Sequence, residues 1–302
     1  MDARPIACLI YDFDKTLSPN NMQEYGFLKG LHIEPGAFWA ECREFAIENR
    51  MDGVLAYMYK MMEKAQGVME LSRDVFRRLG GGIEFFPGVR DWFGRINAYG
   101  DSLGLTVEHY IVSSGLTEII EGTAIAPAFR EIFAASYCYD ASGRPLWPSS
   151  AVNYTNKTQF IFRINKGILD VTNDVDLNSF TPEDRRRVPY RNMIYVGDGL
   201  TDVPSMKLTR SKGGFSIAVH PPGETAAVDD MLLQNRVDFA LTADYSAGSE
   251  LERVVQAVLR QIVAVDECAR LHASHLDAAR RHIDARKARP VTYEGKWIGE
   301  RE

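Results

Sequence analysis

Five short apolar runs separated by helix-like stretches constrain the fold of this chain more than any other feature. The runs cover residues 6–11, 107–112, 132–137, 192–196 and 215–219, and each has the length of a strand buried on both faces. Strands that alternate with helices are typical of a parallel sheet with helices on both of its sides. We therefore expect an α/β protein with a doubly wound parallel sheet.

The first gap between these runs is unusually long and has the pattern of helices alone. It extends from residue 18 to residue 87, and within it Ser72 can cap a helix that ends near Gly80. Met58 and Met61 lie on one face of another helix, a spacing that favours core packing over the lining of a substrate cavity. We expect a small helical domain inserted after the first strand, and we assign it no ligand.

The charge balance bears on which partners the chain can bind. Lys and Arg number 35 against 41 Asp and Glu, which gives a formal net charge of −6 over 302 residues. Nucleic acids and anionic membranes both reward a basic surface, so neither is expected as a partner. The chain starts without a basic segment followed by a long apolar one, and no apolar run is long enough to span a bilayer, which predicts a cytoplasmic protein.

Polar side chains follow three of the apolar runs. Asp12 and Asp14 come after the first, Ser113 after the second, and Asp198 and Asp202 after the fourth. An open parallel sheet has its active site beyond the carboxyl ends of its strands. Taken singly, the serine and the last aspartate are equally well explained as helix caps. The first two aspartates are not, because neighbouring carboxylates repel each other, and a bound cation would offset that repulsion.

Two lysines compete for a role at this edge of the sheet. In the segment NKTQ, Asn156 and Gln159 fit a capping box, which puts Lys157 at the first position of a helix. The helix dipole disfavours a cation there, so a functional role would explain why a lysine occupies this position. Lys166 instead precedes Gly167 at the far end of the same helix, where a cation is favoured. We therefore select Lys157 as the functional lysine.

The ordered segments DFDKT, IVSS, NKTQ and GDGLTD resemble the four motifs of the haloacid dehalogenase (HAD) superfamily. The long helical gap is similar to the type 1 cap of its phosphoserine-phosphatase-like members. The resemblance covers residues 6–220; a single DxD would be weak evidence, whereas four motifs in order are specific. It implies a Rossmann-like core with the strand order 3-2-1-4-5 and an inserted α-helical cap.

The resemblance also implies a reaction. Asp12 would be the nucleophile that attacks phosphorus and forms an aspartyl-phosphate. Asp14 would protonate the leaving oxygen and then activate water. The phosphatases of the superfamily carry an acid two residues after the nucleophile, whereas its dehalogenases do not, so phosphoryl transfer is expected here.

The remaining motif residues would manage charge around the phosphate. Ser113 and Ser114 would bind phosphoryl oxygens, although many relatives with this cap have glycine in place of the second serine. Lys157 would neutralise the phosphate and help to keep the nucleophile ionised. Asp202 would hold that lysine or a metal-bound water, and Thr16 would steady the loop after the first motif.

The resemblance implies one cofactor, Mg²⁺. The side chains of Asp12 and Asp198, with the backbone carbonyl of Asp14, would ligate it and leave positions for phosphate and water, as a small hard cation prefers. Gly199 would support this loop.

The expected domains are a catalytic core of residues 1–17 and 88–248, a helical cap of residues 18–87, and a C-terminal helical extension of residues 249–302. Residues 170–191 are polar and predict a surface loop with a short helix that Thr181 caps and Pro182 begins.

The C-terminal extension is expected to open with a capping box formed by Ser249 and Glu252. The basic stretch at 280–290 is more simply a solvated helix face than an anion site.

The function expected from these residues is that of a Mg²⁺-dependent phosphomonoesterase for a small phosphorylated metabolite. One alternative is a phosphotransferase that passes the aspartyl-phosphate to an acceptor other than water. A second alternative is a phospho-ligand sensor without turnover. Oligomeric state is left open by the sequence.

Overall fold

A computed structural model describes residues 4–287 of the chain, and these contain one seven-stranded sheet. The strands are Ile6–Tyr11 (β1), Thr106–Leu116 (β2), Glu131–Tyr139 (β3), Pro145–Ser150 (β4), Met193–Gly197 (β5), Phe215–His220 (β6) and Phe239–Thr242 (β7). Their spatial order is β4-β3-β2-β1-β5-β6-β7. All neighbours pair in parallel except β3 and β4.

Each of the five apolar runs forms a strand, and the predicted fold class is confirmed. The parallel strands follow the order β3-β2-β1-β5-β6, which is the expected 3-2-1-4-5 arrangement. In β1 the five residues after Ile6 are all buried, because helices cover both faces of the sheet. The central position of β1 puts its carboxyl end between those of β2 and β5.

The helices fill the gaps between strands. They are Met22–Tyr25 (α1), Phe27–Gly30 (α2), Pro35–Asn49 (α3), Gly53–Ala65 (α4), Arg73–Gly80 (α5), Val89–Ser102 (α6), Thr117–Glu121 (α7), Lys157–Lys166 (α8), Asp174–Asn178 (α9), Val203–Ser211 (α10), Ala226–Leu233 (α11) and Glu250–Lys287 (α12). The helices α1 to α5 form the insert that follows β1.

The insert has the local structure that its sequence predicts. Ser72 caps α5 by accepting a hydrogen bond from the backbone of Val75 at 3.2 Å, and α5 ends at Gly80. Asp52 caps α4, and its side chain accepts hydrogen bonds from the backbone amides of Val54 and Leu55. Met58 and Met61 are fully buried, which confirms that this face of α4 packs in the interior.

Two local features differ from the sequence predictions. The antiparallel strand β4 was not expected; it follows a turn at Asp140–Arg144 that pairs it with β3. The helix expected to begin at Pro182 is a single 3-10 turn over Glu183–Arg185 with the proline before it. Soon after this turn the chain is back in the core, because Val188 is buried and its backbone amide donates to the carbonyl of Asn165 at 3.1 Å.

The chain divides into two compact units after Ile262. The first unit contains the sheet, the insert and the start of α12. Ser249 caps that helix by accepting from the backbone of Glu252 at 3.1 Å, whereas the glutamate side chain accepts from the amide of Gly248 instead of closing the expected box.

The second unit contains the rest of α12, where residues 280–287 are exposed as expected for a solvated basic face. Residues 288–290 of that basic stretch, and the end of the predicted C-terminal extension, lie outside the described residues. None of the helices within residues 4–287 combines the length and the apolar character that crossing a membrane requires.

Candidate active site

The carboxyl ends of β1, β2 and β5 bring most of the motif residues into one group. Asp12 directly follows β1, and its backbone amide donates to Val196 of β5 at 2.9 Å. Ser113 lies near the end of β2, and Asp198 follows β5. With Asp14, Lys157 and Asp202 these side chains form what we call the strand-end cluster.

Lys157 is the cation at the centre of this cluster. Its side chain is buried, and its Nζ lies 3.1 Å from Asp12 Oδ2 and 2.8 Å from Asp202 Oδ1. Tyr195 also donates a hydrogen bond to Asp202 Oδ1, at 2.7 Å. A side chain at Gly197 would collide with the Asp202 carboxylate, so only glycine lets this aspartate fold back toward the lysine. Asp202 therefore holds the lysine, and its side chain makes no capping hydrogen bond to α10.

Helix α8 begins at Lys157 as predicted, but the capping box does not form. Asn153 organises this helix start, because its Oδ1 accepts from the backbone amides of Thr155 and Asn156, each at 3.0 Å. The Asn156 side chain turns back and bonds to the backbone of Asn153 and of Ala151. Asn156 therefore holds the position before the helix that the sequence predicts, but its side chain makes no capping hydrogen bond.

Lys166, at the other end of α8, lies outside the cluster. Its Nζ donates to the backbone carbonyls of Leu177 at 2.5 Å and Ser179 at 2.6 Å. This lysine therefore anchors the segment around α9, and Gly167 ends the helix with a φ of 77°.

The loop after β1 is tied to the loop after β2. Asp14 Oδ1 accepts from the backbone of Met22 at 2.8 Å, and the methionine sulfur in turn accepts from the amide of Leu116 at 3.0 Å. Ser113 Oγ accepts from the amide of Gly115 at 3.1 Å. Ser114 contributes its carbonyl, which accepts from the insert.

Two predicted supporting residues act through the backbone. Thr16 is buried, and its carbonyl accepts from the Tyr245 hydroxyl at 2.8 Å. Gly199 accepts at its carbonyl from the amide of Asp202 at 3.0 Å, which closes the turn before α10.

Burial dominates the electrostatics of the cluster. Loss of solvent raises the pKa of Asp12 to about 6 although Lys157 opposes the shift, and raises the pKa of Asp198 to about 8 with a further contribution from Asp202. Burial, followed by the charge of Asp12, also raises the pKa of Asp14 well above its usual value. The positive charge of Lys157 therefore does not balance the negative charge of these carboxylates.

The donor set fits a divalent cation. Carboxylate oxygens of Asp12, Asp198 and Asp202 lie within 4.8 Å of one another. Asp202 Oδ2 is buried and accepts no hydrogen bond from the described residues. Oxygen ligands with excess negative charge are what Mg²⁺ prefers. The carboxylate of Asp14 is outside this group, in keeping with the backbone role that the sequence predicts for it.

A cavity of about 450 Å³ opens onto the strand-end cluster. Its other side is lined by Gln23, Trp39, Asp52 and Tyr57 of the insert, which we call the cap-side wall. Tyr57 donates from its hydroxyl to the carbonyl of Ser114 at 2.7 Å. Sequence reasoning missed this wall because helical spacing does not distinguish a residue that lines a cavity from one that fills a core.

Asn153 connects the wall to the cluster. Its Nδ2 donates to Asp52 Oδ2 at 2.7 Å, while its Oδ1 holds the start of the helix that carries Lys157. The sequence signal for this role was the segment NYTN at the third motif, which contains a second asparagine, Asn153, that the predicted capping box does not use.

Comparisons with known proteins agree with this architecture. No protein-family model matches the chain. An uncharacterized protein of Borreliella burgdorferi is 27% identical over 274 residues, which cover 82% of this chain and 94% of that protein. A HAD family hydrolase of Salmonella enterica serovar Typhi superposes with a TM-score of 0.53 at 14% identity, over 83% of this chain and 74% of its own.

A probable phosphoserine phosphatase of Vibrio cholerae also gives a TM-score of 0.53, at 13% identity, over 88% of this chain and 69% of its own. At these identities the likeness concerns the fold. The chain has the fold of the HAD hydrolases, with a Rossmann-like core and an insert after the first strand.

Proposed function

We propose that this protein is a Mg²⁺-dependent phosphomonoesterase that hydrolyses a small phosphorylated metabolite through an aspartyl-phosphate. One observation carries the proposal: the Asp12 carboxylate, 3.1 Å from Lys157 Nζ, lies at the carboxyl end of the central strand and lines a cavity of about 450 Å³. A carboxylate in such a setting is a nucleophile suited to phosphoryl transfer. The fold shared with a probable phosphoserine phosphatase supports the same reaction class.

In the first half of the proposed reaction, Asp12 attacks phosphorus and the bond to the leaving alcohol breaks. Asp14 donates a proton to the departing oxygen. Its raised pKa suits this step, because burial favours the protonated form of the carboxyl group. The hydrogen bond from the Met22 amide to Oδ1 fixes the orientation of that carboxyl group.

Charge on the phosphate is balanced by the rest of the cluster. Lys157 neutralises a phosphoryl oxygen while Asp202 keeps its ammonium group in place. Ser113 donates from its hydroxyl to a second oxygen. Asp12, Asp198 and the carbonyl of Asp14 would hold Mg²⁺, which when bound supplies the positive charge that a dianionic phosphate requires.

In the second half, Asp14 accepts a proton from water, which attacks phosphorus and breaks the acyl phosphate bond. Asp12 is regenerated as a carboxylate and inorganic phosphate leaves. The same carboxyl group therefore serves as acid and then as base.

The test is a screen of phosphorylated metabolites and 4-nitrophenyl phosphate for phosphate release with Mg²⁺ and with EDTA. Release that requires Mg²⁺ is the expected result. Appearance of a new phosphate ester when alcohols are added would identify a phosphotransferase. Saturable binding of phosphate esters without any release by the metal-loaded protein would contradict the enzyme assignment and support a sensor.

A further inference from the structure

The cap-side wall contains a buried acceptor that has no donor. Gln23 is 1% exposed and lines the cavity, and its Oε1 accepts no hydrogen bond from the residues that the structure describes. An acceptor buried without a partner costs free energy, which a donor on a bound ligand would recover.

A carboxylate lies in the same wall. Asp52 accepts at Oδ1 from the amide of Val54 at 2.8 Å and at Oδ2 from Asn153 Nδ2 at 2.7 Å. These bonds fix the carboxylate at the start of α4, where the helix dipole favours a negative charge. Each carboxylate oxygen offers about two acceptor positions. Oδ1 also accepts from the amide of Leu55 at 3.4 Å, so the position left for a ligand is on Oδ2.

The charges around the cavity favour a cationic ligand group. Among the described residues that line it, Lys15 is the one Lys, Arg or His, and it belongs to the loop after β1. It directly follows Asp14 of the strand-end cluster in the chain, and it is not part of the insert. The described cap-side wall has no cation, and a ligand carboxylate would be desolvated there without a partner.

The aromatic residues of the wall point to the same ligand chemistry. Trp39 and Tyr57 line the cavity as an edge-to-face pair with ring centroids 5.9 Å apart. Aromatic rings attract ammonium groups and also bury the methylene carbons attached to them.

We propose that the substrate is the monophosphate ester of a small amino alcohol that carries no carboxylate. This inference rests on the proposed phosphatase function. The phosphate occupies the strand-end cluster, and the ammonium group donates to Gln23 Oε1 and Asp52 beside the ring pair of Trp39 and Tyr57. Esters with a carboxylate, O-phosphoserine among them, bring a negative charge to a wall that has no cation to receive it.

A matched ester series tests the proposal. The 2-aminoethyl, 2-hydroxyethyl and carboxymethyl monophosphates differ chiefly in the group that meets the cap-side wall. We expect kcat/KM for the aminoethyl ester to exceed that of the hydroxyethyl ester by about tenfold or more, since charged hydrogen bonds discriminate on that scale. The carboxymethyl ester should be the slowest of the three.

Two variants assign the preference to named residues. Asp52→Asn removes the charge but retains a good helix cap, and it should bring the aminoethyl to hydroxyethyl ratio close to one. Gln23→Leu should lower the same ratio by removing the acceptor. Glu48→Gln, an equal charge change at an exposed position of α3, is the control and should leave the ratio unchanged.

A binding measurement covers the case in which a wall variant fails to fold. Calorimetry of the unmodified protein with Mg²⁺ should give a lower Kd for 2-aminoethylphosphonate than for 2-hydroxyethylphosphonate. Equal or reversed preference, in kcat/KM or in Kd, overturns the inference while leaving phosphatase activity intact. Tighter binding of the aminophosphonate with no hydrolysis of any ester, 4-nitrophenyl phosphate included, supports the ammonium site and contradicts the proposed function.

Discussion

The two sides of the cavity are built differently. The strand-end cluster takes its residues from the carboxyl-terminal part of β2, from the loops that follow β1 and β5, and from the start of α8, and its lysine is bonded to two of its carboxylates. The cap-side wall comes from one insert, and it includes the orphan acceptor Gln23 Oε1. The difference teaches that the cluster has an internal cation, Lys157, for its carboxylates, whereas the described wall has a carboxylate and a buried amide oxygen but no cation or donor of its own for that oxygen.

From this comparison we expect variants of the two sides to differ in their effect on kinetics. Changes in the cluster should slow every phosphate ester to a similar extent, because they act on the phosphate itself. Changes in the wall should alter the ranking of esters, because they act on the alcohol that departs.

Asp12→Asn should have the largest effect. The amide preserves the shape of the side chain but cannot serve as the nucleophile, so turnover should fall by on the order of 10⁴-fold or more for all esters, as in other nucleophile replacements. Steady-state phosphate release measures it, and Asp91→Asn, an exposed change in α6, is the control. A verified Asp12→Asn preparation that keeps the native rate would refute the proposed mechanism.

The second prediction compares the two ends of α8. Lys157→Met removes the cation from the phosphate and should lower kcat by about 10²–10³-fold, the usual loss for one electrostatic contact to a transition state. Lys166→Met removes bonds to two carbonyls near α9 and should leave kcat close to native. Circular dichroism checks that both fold, since the first variant leaves Asp12 and Asp202 uncompensated. If Lys166→Met were the slow enzyme, the assignment of the phosphate-binding lysine would be wrong.

The sequence predicted the cluster side of the cavity far better than the wall. Buried strands have a clear apolar signal, so Asp12 and Asp198 could be put at the ends of strands. The resemblance to the HAD superfamily implied that these two strands are neighbours, and they are. The wall depends on which face of α3 and α4 turns toward the cavity, which is a tertiary contact. Trp39 and Asp52 have the same local pattern whether they line a cavity or a surface.

The start of α8 illustrates the limit for hydrogen bonds. Asn153 and Asn156 are both asparagines next to the start of a helix, a position where asparagine often caps. The one that bonds to the backbone amides there, Asn153, also bonds to Asp52, 101 residues away in sequence. Long-range partners of this kind have no trace in the local sequence. The short strand β4 was missed for a similar reason, because its pairing with β3 rather than its own composition defines it.

The third prediction concerns the binding of Mg²⁺, which involves residues of the strand-end cluster alone. The pKa of Asp198 in the folded protein is about 8, above its usual value. The folded metal-free protein therefore holds this proton more tightly than the unfolded chain, and its free energy of unfolding falls as the pH rises from about 4 to 8. Mg²⁺ should restore stability, by about 2.7 kcal/mol at a concentration 100 times its Kd. The gain should be larger at pH 8.5 than at pH 6, where protons compete for the site.

Thermal unfolding with Mg²⁺ and with EDTA at both pH values measures this gain. Asp198→Asn no longer titrates, so the metal-free variant should show a flatter dependence of Tm on pH and a smaller response to Mg²⁺. An equal Mg²⁺ response in the variant would exclude Asp198 as a ligand.

The variant with the smallest expected effect, Tyr57→Phe, tests whether the cap-side wall and the strand-end cluster contribute separately to catalysis. Tyr57→Phe removes the hydroxyl that donates to the carbonyl of Ser114 at 2.7 Å, a bond between the insert and the carboxyl-terminal part of β2. The free energy of unfolding should fall by about 0.5–1.5 kcal/mol, the usual value of one such bond. Because the insert is then less firmly held against the carboxyl-terminal part of β2, KM should rise while kcat changes little. Tyr59→Phe, on the same helix with a side chain that is 48% exposed, is the matched control and should change neither quantity. A fall in kcat for every ester with KM unchanged would mean that the hydroxyl positions the phosphate-binding loop, and the wall and the cluster would then act as one site.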